Sequence, residues 1–242
     1  IILAVVTASA TLQVAGGLDF LVQQAERLMR KHPQQITILA PLSTFLLTVC
    51  VGTGHAVYSL LPVIADVALK TKIRPERPMA IASVASQMGI TASPVAAAVT
   101  TFLAMTAKTG TPVTLGQILM VTLPAGLIGV IAAALWSMRR GLDLDKDPEF
   151  LERMKDPAFR ASVEMSVTTL DKQLPRAAKL SVIIFFSGIL TIVALALYPS
   201  VLPLAKGKPI PMTTVVQLVM LAFGAFILFA ANVKAAAIAK SE

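Results

Sequence analysis

Residues 50–58 read CVGTGHAVY and interrupt a long apolar run with groups that can bind a ligand. Two glycines allow a tight turn and close approach of a ligand to the backbone. Backbone groups that leave a helix inside hydrocarbon find no water there, so such a turn is tolerated where it lines a polar cavity. The stretch therefore predicts a binding turn formed by Gly52, Thr53, Gly54, His55 and Tyr58.

A second apolar segment is interrupted at residues 91–94, which read TASP. Proline breaks the helical hydrogen-bond ladder and disfavours helix at the residue before it. The segment is therefore predicted to be two half-helices, the second starting at Pro94 and pointing its free N–H groups at the same cavity. The predicted binding residues of this break are Thr91, Ala92, Ser93 and Pro94.

Several of these residues also have a purely structural interpretation. Glycines in membrane helices often serve close helix packing, which applies to Gly89 as well as to the two turn glycines. His55 is also consistent with a structural hydrogen bonder, and Tyr58 with packing. Asp66 is an acid inside an apolar segment, but it lies one turn before Lys70, which favours an ion pair at the base of a helix.

Other reactive chemistry is scarce. With one cysteine and two histidines, the chain predicts neither a disulfide framework nor a metal site. Metalloprotease and serine-hydrolase motifs are absent from the sequence, so we expect neither an enzyme nor a bound cofactor. An alternation of aromatic and basic residues that could stack nucleic-acid bases is also absent, so nucleic acid is not an expected partner.

Composition indicates a protein built for the lipid bilayer. Hydrophobic residues make up 56% of the chain and charged residues 14%, whereas soluble domains have about 25% charged residues. We expect an all-α polytopic membrane protein. Its predicted elements are a partial spanning helix 1–15, a surface helix 18–31, a hairpin 36–69, a broken helix 79–107, and spanning helices 117–138, 180–198 and 213–233.

Two of these elements lead to more detailed expectations. The surface helix is amphipathic, with Leu18, Leu21, Val22, Ala25, Leu28 and Met29 on its apolar face and Gln23, Gln24, Arg27 and Lys31 mainly on the other. In the first helix, Thr7, Ser9 and Thr11 either line the cavity or bond back to helix carbonyls.

The arms of the hairpin are short. Residues 36–49 and 56–69 each cover about 21 Å at 1.5 Å per residue, against a hydrocarbon core of about 30 Å. This length favours a re-entrant hairpin over two full spans. Charge does not distinguish the two arrangements, because both return the chain to the same side.

Basic residues are distributed unequally between the two sides of the membrane. They concentrate in residues 18–35, 70–78 and 139–179 and in the C-terminal tail, whereas the other side has Lys108, Lys206 and Lys208. The first side is therefore predicted to be cytoplasmic. Within the long loop 139–179, Asp147-Pro148 and Asp156-Pro157 each predict an N-cap with proline at the first helical position, and hence two short helices.

Several long runs make the sequence similar to a known family. TASATLQVAGGLD, CVGTGHAVYSLLPVIADVALKTKIRPERPMA, GLDLDKDPEF and TTLDKQLP resemble the anaerobic C4-dicarboxylate transporter (Dcu) family. The resemblance implies a carrier in the bacterial inner membrane that exchanges or takes up fumarate, succinate, malate and aspartate. It also implies an ion-transporter architecture of two inverted repeats, each with a hairpin and a broken helix facing a site at the membrane midplane.

On this resemblance, residues 1–138 are expected to be the first repeat, residues 139–179 a cytoplasmic loop, and residues 180–242 the start of the second repeat. Such a fragment is expected not to transport by itself, because half of the site would be missing. A coupling cation and a homo-oligomer are further expected partners. A carrier for another organic anion, such as gluconate, and a non-transporting membrane subunit are the alternatives.

Overall fold

A computed structural model describes residues 2–109, 113–165, 167–198, 204–205 and 208–231. The described residues are almost entirely helical. The helices are α1 Ile2–Val14, α2 Gly17–Lys31, α3 Ile36–Val51, α4 Ala56–Lys70, α5 Glu76–Thr91, α6 Ala97–Thr106, α7 Leu115–Ser137, α8 Pro148–Arg153, α9 Pro157–Glu164, α10 Arg176–Leu197 and α11 Met212–Ala231. A 3₁₀ turn, Pro33–Gln35, precedes α3, and two-residue strands β1 Leu204–Ala205 and β2 Lys208–Pro209 pair antiparallel between α10 and α11.

Within the described ranges, four stretches are long and apolar enough to cross a membrane: Pro33–Val51 with 19 residues, Leu115–Ser137 with 23, Arg176–Leu197 with 22 and Met212–Ala231 with 20. α1 and α2 together would form a fifth apolar crossing, but they are bent by 68° where they meet. The predicted all-α membrane fold is therefore confirmed. The basic tail residues Lys234 and Lys240 lie outside the described residues, as does Lys206.

The two hairpin arms are unequal. With its 3₁₀ turn the first arm reaches 19 residues, because helical conformation starts before Ile36, whereas α4 has 15 residues. Arm length therefore favours re-entry only for α4, and a re-entrant hairpin stays a prediction.

Local signals set several helix ends. The Asp147 carboxylate accepts from the N–H groups of Glu149 and Phe150, and the Asp156 carboxylate accepts from that of Ala158, so the two short helices begin at the predicted caps. α7 begins with a capping box in which Thr114 and Gln117 bond each other's backbone N–H groups. Side chains thus cap the starts of α7, α8 and α9.

α3 is packed closely on α5 and α7. A β-carbon at Gly89 would lie 2.8 Å from the carbonyl oxygen of Phe45 and 2.8 Å from Cβ of Thr48. One at Gly126 of α7 would lie 2.9 Å from the Phe45 ring. The hydroxyl of Thr44 also donates to the carbonyl of Ala82 at 3.0 Å. Gly89 therefore serves close helix packing.

The buried face of α2 differs from the predicted apolar face. Val22 and Met29 are buried as expected, but Leu28 is 45% exposed, while Gln23 and Glu26 are buried. Both polar side chains are buried because they hydrogen-bond to residues far along the chain. The spacing of apolar residues in α2 could not predict these distant partners, so the predicted apolar face was only partly right.

Ion pairs join the segments that are predicted to be cytoplasmic. Nζ of Lys70 lies 3.0 Å from a carboxylate oxygen of Asp66, which confirms the predicted helix-base pair. Arg77 donates to the carbonyls of Arg140 and Gly141 at 2.5 and 2.7 Å and to the Asp143 carboxylate at 2.6 Å. The RPERP loop is thereby fixed to the segment that follows α7.

Candidate functional site

The turn between α3 and α4 requires glycine at its first position. Gly52 has φ 80°, in the left-handed region, and its N–H donates to the carbonyl of Thr48 at 2.8 Å to end α3. A β-carbon on Gly52 would lie 3.0 Å from Cγ2 and 3.1 Å from the carbonyl oxygen of Val95. The hairpin turn therefore contacts the backbone of the break between α5 and α6 directly.

The rest of the turn is tight. The N–H of Val57 donates to the carbonyl of Gly54 at 3.2 Å, and the N–H of Tyr58 donates to the backbone carbonyl of His55 at 3.1 Å. The N–H of His55 donates weakly to the Thr53 hydroxyl at 3.4 Å. A β-carbon on Gly54 would lie 2.9 Å from Nε2 of Gln87, so this amide rests against the turn. The turn is thus held by its own backbone bonds and by a side chain of α5.

A cavity of about 740 Å³ opens beside the turn. The structure brings the five predicted residues of the hairpin turn together in its wall: Gly52, Thr53, Gly54, His55 and Tyr58. The rings of His55 and Tyr58 are 6.1 Å apart between centroids. Tyr58 is 65% exposed, so it is not packing filler within the described residues.

Ser9, one of the first-helix residues expected either to line the cavity or to bond back to helix carbonyls, lines it. Sequence reasoning assigned no binding role to three other polar residues of the lining, namely Gln13, Ser59 and Gln87. Ser9 also donates to the carbonyl of Val51 at 3.0 Å, which joins α1 to the last turn of α3. Thr11, in contrast, is buried and bonds back to the carbonyl of Ala8 at 2.7 Å. Polar residues in an apolar helix were the available signal, but sequence alone did not show which of them face the cavity.

The four predicted residues of the second break lie elsewhere. Ala92 and Ser93 are fully buried, and the Ser93 hydroxyl accepts from the N–H of Val95 at 3.3 Å. The hydroxyl of Thr91 donates to the carbonyl of Met88 at 2.8 Å. Pro94 lines a separate, apolar cavity of about 380 Å³ together with Cys50.

α6 begins at Ala97 and not at the predicted Pro94. Pro94 and Val95 form a turn in which the N–H of Ala96 donates to the carbonyl of Ser93 at 3.4 Å, and this turn delays the helix by three residues. Ala97 and Ala98, the first residues of α6, line the larger cavity. Among the described residues, no side chain caps this helix start. Small side chains there leave the first-turn N–H groups accessible to a ligand.

The cavity combines apolar and polar side chains in its lining. Among the described residues that line it there is no Lys, Arg, Asp or Glu. Across the described part of the chain, no group of three His, Cys, Asp or Glu residues could hold a metal ion. Such a wall offers neutral hydrogen-bond donors beside the N-terminal ends of α4 and α6.

Comparison with known proteins identifies the family. Residues 1–242 match the family described as anaerobic C4-dicarboxylate membrane transporters. The chain belongs to this family. Its members are membrane transporters and not enzymes, which agrees with the absence of a catalytic motif, and the chain is a multi-pass membrane protein.

Three relatives illustrate the similarity. The anaerobic C4-dicarboxylate transporter DcuB of Escherichia coli O6:H1 is 44% identical over 100% of this chain and 55% of its own length. The C4-dicarboxylate transporter DcuA of Helicobacter pylori J99 is 41% identical over 80% of this chain and 42% of its own. DcuA of Escherichia coli K12 is 36% identical over 88% and 48%.

The chain spans about half the length of the curated relatives that it matches. No solved structure matches it. The family assignment therefore rests on sequence similarity, and the geometry of the site rests on the packing of α3, α4, α5 and α6.

Proposed function

We propose that this chain forms part of a secondary active transporter that moves C4-dicarboxylates across the bacterial inner membrane. Fumarate, succinate, malate and aspartate are the proposed substrates, carried by exchange or uptake with alternating access. The observation that carries the proposal is the cavity at the α3–α4 turn, whose lining combines glycine backbone, neutral hydrogen-bond donors and the start of α6. Membership of the C4-dicarboxylate transporter family supports the choice of substrate.

The proposed binding mode uses helix N-termini. α4 begins at Ala56 beside His55 and Tyr58, and α6 begins at Ala97 on the same cavity. Each N-terminus carries a partial positive charge and free N–H groups, which favour carboxylates. Thr53 and Gln87 then supply neutral donors between the two helix starts. Thr91, Ala92, Ser93 and Pro94 are proposed to shape the break that brings α6 to the cavity.

The charge of the substrate motivates a further part of the proposal. A C4-dicarboxylate is a dianion, whereas none of the cavity-lining residues that the structure describes is basic. We therefore propose that a coupling cation, or residues elsewhere in a full-length family member, complete the charge balance. A homo-oligomeric assembly is also proposed.

The test is counterflow in proteoliposomes containing a full-length family member that carries these 242 residues. Labelled fumarate, succinate and aspartate are each offered against unlabelled substrate inside, and exchange of at least one is expected. Liposomes without protein are one control, and labelled gluconate offered to the same proteoliposomes is the other. Exchange of none of the three dicarboxylates would refute the proposal, and exchange of gluconate alone would support the organic-anion alternative.

A further inference from the structure

A buried carboxylate on α2 binds a segment more than a hundred residues away in sequence. Glu26 is fully buried. Its carboxylate accepts from the Thr168 hydroxyl at 2.7 Å, from the Thr169 N–H at 2.8 Å and from the Thr169 hydroxyl at 2.5 Å. Every one of these donors lies in residues 167–172, which we name the strap. A buried carboxylate with this many donors is a built attachment point.

The strap has a second attachment beside the first. Nε2 of Gln23, one turn before Glu26, donates to the carbonyls of Thr169 and Lys172 at 2.6 and 2.8 Å. At the exposed edge, Nζ of Lys172 lies 2.6 Å from the Asp19 carboxylate. The strap thus runs along α2 and is bound through its backbone as well as its side chains. It ends shortly before α10 begins at Arg176.

Arg30 connects the strap to the base of the hairpin. Its guanidinium donates to Glu26 at 2.7 Å, to Asp66 of α4 at 2.9 Å and to the carbonyl of Val167 at 2.7 Å. Lys70 pairs with the same Asp66. Two acids and two bases therefore balance in one cluster that joins α2, α4 and the strap.

We propose that the strap, by binding to the Glu26 carboxylate, fixes the cytoplasmic end of α4 to α2 and so positions the hairpin turn at the cavity. We call this attachment the latch. Glu26 is a positioning residue that acts on α4 through Arg30 and Asp66. The cluster lies at the end of α4 opposite its substrate-facing turn, so releasing it would loosen the support of the turn without removing any group from the cavity. The latch itself does not depend on the proposed transport function; only its effect on transport does.

Charge on Glu26 strengthens the latch. Burial acts to raise the pKa of this carboxyl, but hydrogen bonds from Thr169, Thr168 and Arg30 outweigh burial and hold its pKa below the ordinary value. Glu26 is therefore a carboxylate at neutral pH. Glu26→Gln removes the charge and places an NH₂ group against either the Arg30 N–H or the Thr169 N–H, each of which can only donate, so one of these two hydrogen bonds is lost.

The test measures hydrogen–deuterium exchange of the strap peptide in the full-length transporter. The N–H of Thr169 is protected by Glu26, so Glu26→Gln is expected to make exchange of the strap at least about tenfold faster. The matched control is Asp19→Asn, which removes an exposed acid that also touches the strap and is expected to leave the Thr169 amide protected. Unchanged exchange in Glu26→Gln would overturn the latch.

Transport kinetics form the second readout. With substrate contacts intact, Glu26→Gln is expected to lower the maximal exchange rate per folded transporter while the half-saturation concentration stays as in wild type. If Glu26→Gln speeds strap exchange but leaves the transport kinetics unchanged, the positioning role of Glu26 is overturned. The proposed function is not affected by that result. If Glu26→Gln does not fold, Thr168→Val with Thr169→Val removes both hydroxyl donors and retains the carboxylate. Fast strap exchange is again expected, and wild-type exchange again overturns the latch.

Discussion

Gly52 and Val95 are in backbone contact: a β-carbon on Gly52 would lie 3.1 Å from the carbonyl oxygen of Val95. This contact joins the turn of the hairpin to the break between α5 and α6. Two interruptions that are far apart in sequence therefore support each other in space. Any side chain at Gly52 has to push them apart.

Gly52→Ala is accordingly expected to reduce the free energy of unfolding by about 1–2 kcal/mol from the left-handed backbone alone, with a further loss from the Val95 contact. Gly52→Asn is the informative comparison, because asparagine tolerates the left-handed region but still carries a β-carbon. Thermal unfolding in detergent measures both. Equal stability of Gly52→Ala and wild type would show that the contact is not as close as described.

The hydroxyl of Thr53 is expected to contact substrate carboxylate. Thr53→Val retains the shape and removes the donor, so the half-saturation concentration for dicarboxylate should rise about tenfold, the value of one charge-assisted hydrogen bond. Ser83→Ala is the control, since the Ser83 hydroxyl bonds the carbonyl of Met79 and lies outside the cavity. An unchanged half-saturation concentration in Thr53→Val would remove this residue from the site.

Gly89→Ala is expected to separate α3 from α5. Its new methyl group would lie 2.8 Å from the backbone of Phe45, and overpacking of this kind costs about 1–3 kcal/mol. Gly129→Ala is the matched control on α7, where nothing lies within 4 Å of the new β-carbon. That control should be neutral or slightly stabilising by thermal unfolding. Destabilisation of both variants to the same degree would contradict the packing argument.

Arg77→Lys is expected to destabilise the protein almost as much as Arg77→Met does. The guanidinium reaches two carbonyls and the Asp143 carboxylate at once, and a single ammonium cannot reproduce that fork. Each variant should lose about 1–3 kcal/mol in unfolding free energy. Full retention of the melting temperature by Arg77→Lys would show that charge, and not the fork, fixes the loop.

Acid is expected to release the strap only well below neutral pH. A carboxyl whose pKa is lowered on folding contributes stability above its unfolded value of 4.5, and that contribution is lost as pH falls through the folded pKa. Glu26 faces Arg30, which also binds Asp66, and Lys70 completes the cluster. Strap exchange, corrected for intrinsic rates, should therefore be equal at pH 6 and pH 8. Faster exchange at pH 6 would contradict this assignment.

Local signals in the sequence predicted the local features well. Asp147 and Asp156 form the expected caps because a cap is decided by the residue and its next few neighbours. The wall of the cavity at the hairpin turn was likewise predicted, because a polar turn inside an apolar run is costly unless it faces a polar space. The predicted start of α6 was wrong by three residues, because residues 93–96 first form a turn in which the N–H of Ala96 donates to the carbonyl of Ser93 at 3.4 Å.

Features that depend on distant partners could not be predicted. Sequence analysis assigned no partner to Glu26, but its carboxylate is buried against Thr168 and Thr169, which lie 142 and 143 residues away in sequence. Gln87 faces the cavity because α5 packs against the hairpin turn, which no periodicity in α5 records. In both residues the deciding contact joins separate parts of the fold.

Arg77 of the RPERP loop has no interaction partners when it is first synthesised and gains them later. Arg77 is synthesised long before its partners, which follow 63 to 66 residues later. On the predicted orientation, its positive charge would favour retention of this loop on the cytoplasmic side while the chain is being inserted. Once residues 140–143 are synthesised, the same side chain joins the two loops, so the residue that favours the predicted topology would also stabilise it.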